Sequence, residues 1–146
     1  MNAVKTLYFD DIAVGDVLTA GPYQTTHDEM VAFAQKWNPR PEYVRGETAC
    51  IEYVRAVKQR LVSELGFGDA IIGAMGHDNT RYPNPARAGD AIDMRFEAIE
   101  MRPSRSKPDR GVAKFDVTLA NQNGDALFAY IDIIMMARRD SAAASG

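Results

Sequence analysis

Arg102-Pro103-Ser104-Arg105-Ser106-Lys107-Pro108-Asp109-Arg110 sets the cations Arg102, Arg105, Lys107 and Arg110 against one acid, Asp109. Guanidinium groups hold phosphate oxygens two at a time, so the segment could bind phosphate groups; a solubilising loop tip or a subunit contact would have the same composition. The sequence has two histidines. His27 lies in Thr26-His27-Asp28-Glu29, a helix-capping pattern that should leave its ring in solvent. His77-Asp78 is the other imidazole–carboxylate neighbour and could move protons. On a strand, however, adjacent side chains point to opposite faces, which argues against a direct pair. Glu47 falls where a helix should open, a place that suits a carboxylate through the helix dipole. Cys50 is the single cysteine, so no intrachain disulfide can form; no zinc-type Cys/His spacing accompanies it, and it reads as a small buried hydrophobe.

The elements that must position these residues follow from periodicity. Thr26 to Glu29 has the capping-box form, and Met30, Phe33, Ala34 and Trp37 recur at helical spacing, predicting a helix to about Trp37 that Pro39 and Pro41 stop. A second helix is expected from Gly46 or Glu47 to Leu65, with Ile51, Val54, Val57, Leu61 and Leu65 as its inner stripe. Glu52, Arg55, Lys58 and Gln59 fall on the other side, and Gly66 forms a left-handed cap. The period then changes to two. Ile92, Met94 and Phe96 face one way and Ile99 and Met101 the other, a slip that predicts a β-bulge near Glu97–Ile99. Ala113, Phe115, Val117 and Leu119 alternate in a second strand, Asn123-Gly124 offers a type I′ turn, and Leu127 to Met136 is apolar on both parities, as in a strand buried on both faces. Two helices followed by hairpin-linked strands make an α+β fold with an antiparallel sheet laid on the longer helix.

Composition excludes several functions. Of 146 residues, 46% are hydrophobic and 25% charged, the balance of an ordinary globular domain. Basic residues number 17 and acidic 20, net −3, so no global positive field exists for nucleic acid or an anionic membrane. The N-terminal stretch meets Asp10 and Asp11 before any apolar run forms, which leads us to expect a cytoplasmic protein. One domain over residues 1–139 with a flexible tail over 140–146 is the expected organisation.

Several local segments together resemble the MaoC-like dehydratases, the hotdog-fold group that includes the (R)-specific enoyl-CoA hydratases. Phe9-Asp10-Asp11-Ile12-Ala13-Val14-Gly15-Asp16 is similar to that family's opening F-x-D-x-x-V-G-D. Thr26 to Ala34 resembles its T-x-x-D/E-x-x-x-F-A helix, Pro85 to Asp90 its P-x-R-x-G-D segment, and Arg102 to Gly111 the loop between two long strands in one bacterial branch. The resemblance spans roughly residues 9 to 138. It implies a hotdog fold, in which an antiparallel sheet wraps a long central helix and two sheets join edge to edge in a dimer.

The resemblance also implies a site. The family's D-P-x-P-x-H segment supplies the Asp and His that activate water for addition to an enoyl thioester. Here the matching run is Asn38-Pro39-Arg40-Pro41-Glu42-Tyr43, with Asn38 and Tyr43 in the two catalytic positions. An amide is no base, and a phenol with a reference pKa of about 10 would need a large downward shift to act as one. Gly46 matches the glycine whose amide polarises the thioester carbonyl. A hydratase of this kind should be slowed by about 10²–10⁴ for lack of a general base, with Asn38 and Tyr43 holding the water. Glu47 stands where hotdog thioesterases carry a catalytic acid, which gives acyl-CoA hydrolysis as an alternative. Only Val44 and Arg45 separate Tyr43 from Gly46, where the family has a further helical stretch, implying a more open site or one completed by a partner. The arginine loop would hold CoA phosphates. No cofactor beyond the CoA thioester and no metal is implied. The implied partners are a homodimer or higher homo-oligomer, or a hotdog subunit that carries the dyad; such a hetero-oligomer would make this chain a non-catalytic subunit.

Overall fold

The segments of period two become strands because each has one face to bury. In the computed structural model, which describes residues 5–139, they are β1 (Val17–Gln24), β2 (Ile71–Arg81), β3 (Ala91–Pro103), β4 (Arg110–Ala120) and β5 (Ala126–Ala137). The tail expected over 140–146 lies outside the described residues. All neighbouring strands are antiparallel, in the order β1-β3-β4-β5-β2, so β1 and β2 form the two edges. The bulge falls where the parity slip predicts it, at Ile99, between the pairs Ala98–Phe115 and Glu100–Lys114. β5 is buried on both parities only from Leu127 to Tyr130; beyond that, Ile131, Ile133 and Met135 are partly exposed.

The helices are α1 (His27–Trp37), α2 (Pro41–Val44) and α3 (Ile51–Val62). The inner face of α3, with Tyr53, Val54, Val57 and Leu61 buried, shares one core with Phe96, Phe115, Val117 and Tyr130 of the sheet. Phe67, which follows α3, closes that core at 5.6 Å from the Phe96 ring and 5.9 Å from Phe115.

Several sequence expectations need correction. The central helix starts at Ile51, not Gly46 or Glu47, because the second proline begins a helix instead of ending one: Pro41 is the first residue of α2, where its missing N–H costs nothing. Ile51, placed on the inner stripe, is 44% exposed, and Tyr53 takes the interior at 3%. Lys58, placed outside, is half-buried. Trp37 is exposed, so the buried face of α1 rests on Met30 and Ala34. The capping box of α1 is half-formed. Thr26 Oγ1 accepts from the Glu29 amide at 3.2 Å, but the Glu29 carboxylate accepts from Tyr23 Oη and Tyr53 Oη instead, at 2.7 and 2.6 Å. The β4–β5 turn is not type I′, which needs two left-handed residues: there Gly124 alone is left-handed, with φ +82°, and Asn121 Oδ1 ties the loop by accepting from the Asn123 and Asp125 amides.

Candidate functional site

At the N-terminal end of α3, the Ile51 and Glu52 amides have no carbonyl upstream to bond within the helix, and the positive end of the helix dipole lies beside them. Next to them is a hollow of about 240 Å³, walled by Tyr43, Thr48, Ala49, Ile51, Tyr82 and Leu127 among others. The Pro85–Asp90 segment frames it. Ala86 O accepts from the Ala49 amide at 2.8 Å, and Asp90, buried, caps the turn by accepting from the Arg87 amide at 2.9 Å. The segment that resembles a family motif is thus a brace for the start of the helix.

The predicted residues only partly converge here. Tyr43, on α2, is half-buried and lines the hollow. Asn38 caps the C-terminus of α1, and its Nδ2 donates to Glu52 Oε1 at 2.6 Å, so its side chain is occupied in joining α1 to the first turn of α3. Gly46 does not open the central helix, which starts at Ile51. It sits left-handed after α2, with φ +77°, and its amide donates to Tyr43 O at 3.0 Å. Its positive φ favours glycine, and a Cβ there would in addition fall on the His27 ring. Glu47 lies in the turn before α3 with its carboxylate 2.6 Å from Arg45 Nε and both side chains more than half exposed, so it acts as an exposed ion pair and not as a buried acid. Cys50, the N-cap of α3, is 1% exposed, and burial pushes its thiol pKa up, which makes it a poor nucleophile.

The basic loop joins β3 to β4. Arg102, Ser104 and Arg105 line a separate hollow of about 380 Å³. The Arg110 guanidinium donates to both oxygens of Asp109, at 2.8 and 3.1 Å; Lys107 is exposed at the turn. The loop meets β5 at Ala137, whereas the hollow beside α3 meets it at Leu127. Leu127 and Ala137 both lie on β5, and the ten-residue step between them at about 3.3 Å each puts the two roughly 33 Å apart along the strand within one chain.

A second cluster escaped the sequence reading. His77 does not pair with its neighbour Asp78. Across the β2–β5 ladder it stands opposite Asp132, with Nε2 3.5 Å from Oδ1. Burial pushes the Asp132 carboxyl up to about 6 and the His77 imidazole down. Together with Lys58 of α3 these two line a cleft of about 170 Å³. The signal was present in the sequence: Asp132 is the only acid between Leu127 and Met136, and it shares parity with the inward Phe128 and Tyr130.

The fold as a whole matches solved proteins. A MaoC-like dehydratase from Rhodospirillum rubrum superposes with a TM-score of 0.82 over 91% of this chain and 98% of its own, at 26% identity. The chain has the MaoC-like hotdog fold. The unliganded (R)-hydratase PhaJ1 from Pseudomonas aeruginosa matches this hotdog at TM-score 0.74 and 16% identity, covering 93% of the chain and 89% of that protein. The ChsH1–ChsH2 complex from Mycobacterium tuberculosis contains a further likeness, at TM-score 0.62 and 16% identity over 86% of this chain and 98% of that one. Among curated proteins, a mesaconyl-CoA hydratase from Haloarcula hispanica is 25% identical over 97% of the hotdog chain. The chain spans 43% of that relative's length. No family model matches the sequence. No helix among the described residues is long and apolar enough to cross a membrane.

Proposed function

We propose that this chain binds an acyl or enoyl thioester of CoA and belongs functionally with the hydratases and dehydratases of the hotdog fold. The observation that carries the reading is the hollow beside the first turn of α3. A thioester carbonyl placed there would lie beside Ile51, the first residue of α3, at the positive end of the helix dipole, an arrangement suited to stabilise charge developing on oxygen. Tyr43 on the wall offers a hydroxyl to the thioester or to a water. Asn38 supports the hollow indirectly, through Glu52. The likeness to the Rhodospirillum rubrum dehydratase and to the mesaconyl-CoA hydratase supports the substrate class. With the arginine loop a strand's length away, phosphate contacts from Arg102, Arg105 and Lys107 would reach such a thioester from a second copy of the chain.

The test uses a substitution that the local geometry tolerates. Cys50, at φ −68° and ψ 156°, already has the conformation that precedes a proline, and Ile51 is the first helical residue, so Ile51→Pro deletes one amide donor and leaves α3 intact. Titrating butyryl-CoA by calorimetry should show wild-type binding that weakens about tenfold in Ile51→Pro, the worth of one hydrogen bond of about 1–1.5 kcal/mol. Equal affinity in Ile51→Pro and Tyr43→Ala would remove the hollow from the reading.

A second reading is that of a subunit that completes, or is completed by, another hotdog chain. It is favoured by the replaced Asp and His positions, by the 43% span of the hydratase relative, and by the neighbour solved as a two-protein complex. Mixing the chain with a dyad-bearing hotdog protein and weighing the assembly by light scattering tests it; a homo-oligomer that ignores the added protein argues against it. Thioester hydrolysis through Glu47 has no support in the exposed Arg45–Glu47 pair.

A further inference from the structure

Lys58 is the one lysine on α3, and its amine is not carried out into solvent. Its Nζ lies 5.8 Å over the ring of Tyr130, which is itself fully buried, so the group is held against the core where a surface lysine would extend its charge into water. Lys58 closes no ion pair among the described residues. The space it faces is a cleft of about 170 Å³ between α3 and the β2–β5 edge, walled by Val62 of α3, Ala74 and His77 of β2, and Asp132 and Ile134 of β5 among others. A desolvated lysine without an ion-pair partner is the state in which this side chain acts as a nucleophile toward carbonyl carbon.

The charges around the amine favour that state. Burial pushes the Lys58 pKa down; the Asp132 charge opposes this and the Arg55 charge adds to it, with burial the largest of the three. The groups that face the amine are Arg55 from α3, Asp132 and Tyr130 from β5, and His77 from β2. Burial and the Lys58 and Arg55 charges push His77 down as well, so its ring is neutral at pH 7 and brings no further positive charge into the cleft. Asp132, its side chain 10% exposed, is pushed up to about 6 by burial and so can give a proton near neutrality. His77 Nε2 comes to 3.5 Å from Asp132 Oδ1 without hydrogen-bonding to it, and the buried Tyr130 hydroxyl has no hydrogen-bond partner among the described residues. A nucleophilic nitrogen and a proton donor therefore share one small, mostly aliphatic space, and these are the two groups that imine formation requires.

We infer that this cleft is a carbonyl-capture site, in which the Lys58 amine forms an iminium with a short aliphatic aldehyde and Asp132 supplies the proton that leaves with the water. Lys58 Nζ attacks the carbonyl carbon, the C=O π pair moves onto oxygen, and the nitrogen passes one proton to that oxygen, giving a neutral carbinolamine. Asp132 then protonates the hydroxyl, the C–O bond breaks to release one water, and the nitrogen lone pair closes the C=N bond. The products are water, the iminium and the Asp132 carboxylate, so the new positive charge forms within reach of a negative one and no oxidant or reductant is consumed. Val62, Ala74 and Ile134 suit an alkyl chain, and the size of the cleft suits a short one. The inference needs no CoA and stands apart from thioester binding at the start of α3.

Butanal with excess cyanoborohydride, applied to the whole protein, converts each iminium into a stable butyl-lysine that peptide mass spectrometry locates. At pH 7 Lys58 should be butylated at least about fivefold faster than the exposed Lys36 and Lys107. A lysine that only packs its stem against the core would react more slowly than they do, because access to it is restricted. The Lys58 rate should also level off at a lower pH than the rates of those two lysines, since its amine loses its proton earlier. Asp132→Asn keeps the shape of the side chain and, by removing a negative charge, frees more of the amine; it should still slow Lys58 butylation at least about fivefold at pH 6, because the proton for water loss is gone. Lys58 labelling no faster than that of Lys36 and Lys107, a plateau at the same pH as theirs, or an Asp132→Asn rate equal to or above wild type overturns the inference. None of these results touches butyryl-CoA binding beside the first turn of α3. The first two readouts use the wild-type protein alone, so they decide the question even if Asp132→Asn does not fold.

Discussion

Replacing Asp132 by asparagine should stabilise the protein at neutral pH and do almost nothing at pH 4. The carboxyl is pushed from 3.8 to about 6 chiefly by desolvation, against which the Lys58 charge and the Ile133 amide act only in part. The folded protein therefore holds this proton more tightly than the unfolded chain. The favourable contribution of the protonated acid is fully present below the unfolded value of 3.8 and is lost as the pH rises through about 6. At about 1.4 kcal/mol per tenfold, the interval between those values amounts to roughly 3 kcal/mol of destabilisation carried by the wild type above pH 7. A side chain only 10% exposed leaves little of this to solvent screening. Urea unfolding of wild type and Asp132→Asn at pH 4, 5, 6 and 7.5 gives the measurement, with the other carboxylates cancelling in the difference. The variant's advantage should grow from near zero at pH 4 to roughly 3 kcal/mol at pH 7.5 with the m-value unchanged. A difference that stays flat across this range, or a variant less stable at pH 7.5, would refute the account of Asp132 as a buried, desolvated acid.

Three further outcomes follow from the geometry. Glu29→Ala strands the buried Tyr53 hydroxyl and frees Tyr23, and should cost about 2–4 kcal/mol in chemical unfolding, with Glu29→Gln losing less because one acceptor remains. Asn38→Asp, which restores the family's acid, should not restore a base: the new carboxylate would face Glu52, now 2.6 Å away. It should destabilise the protein by about 1–3 kcal/mol at pH 8 and recover on acidification to pH 5, because repulsion raises the carboxyl pKa in the folded state. Gly111→Val should cost about 1–3 kcal/mol, since even a Cβ at Gly111 lies 2.5 Å from the Phe9 ring; a thermal midpoint within 1 °C of wild type would show that this contact relaxes freely.

The sheet was legible because its information is local. In β3 each residue declares its face by its neighbours, and a change of parity at Ile99 is visible within a few positions. The hotdog resemblance was legible for a similar reason, as short segments each with its own turn or brace, such as Asp90 closing on the Arg87 amide. The start of α3 was not. Whether Pro41 ends one helix or opens another depends on how the chain continues, and the left-handed Gly46 that follows α2 lies against the His27 ring of α1, a contact distant in sequence. The same limit applied to Glu29, whose capping role is local but whose two phenol partners come from β1 and α3.

The His77–Asp132 pair marks the boundary between the two kinds of information. Period two correctly separated His77 from Asp78, but the true partner follows only from β2 lying beside β5, a crossover that no local pattern encodes. What the sequence did carry was the violation: an acid with inward parity in the most apolar run of the chain. A strand that obeyed its own pattern would place an aliphatic residue at 132 and a phenylalanine at 130. This one places there a carboxylate and a hydroxyl without a partner, next to an imidazole and beneath an ammonium. Departures from a consistent pattern that cluster in space, and that packing alone would reject, are where a fold gives up stability for chemistry.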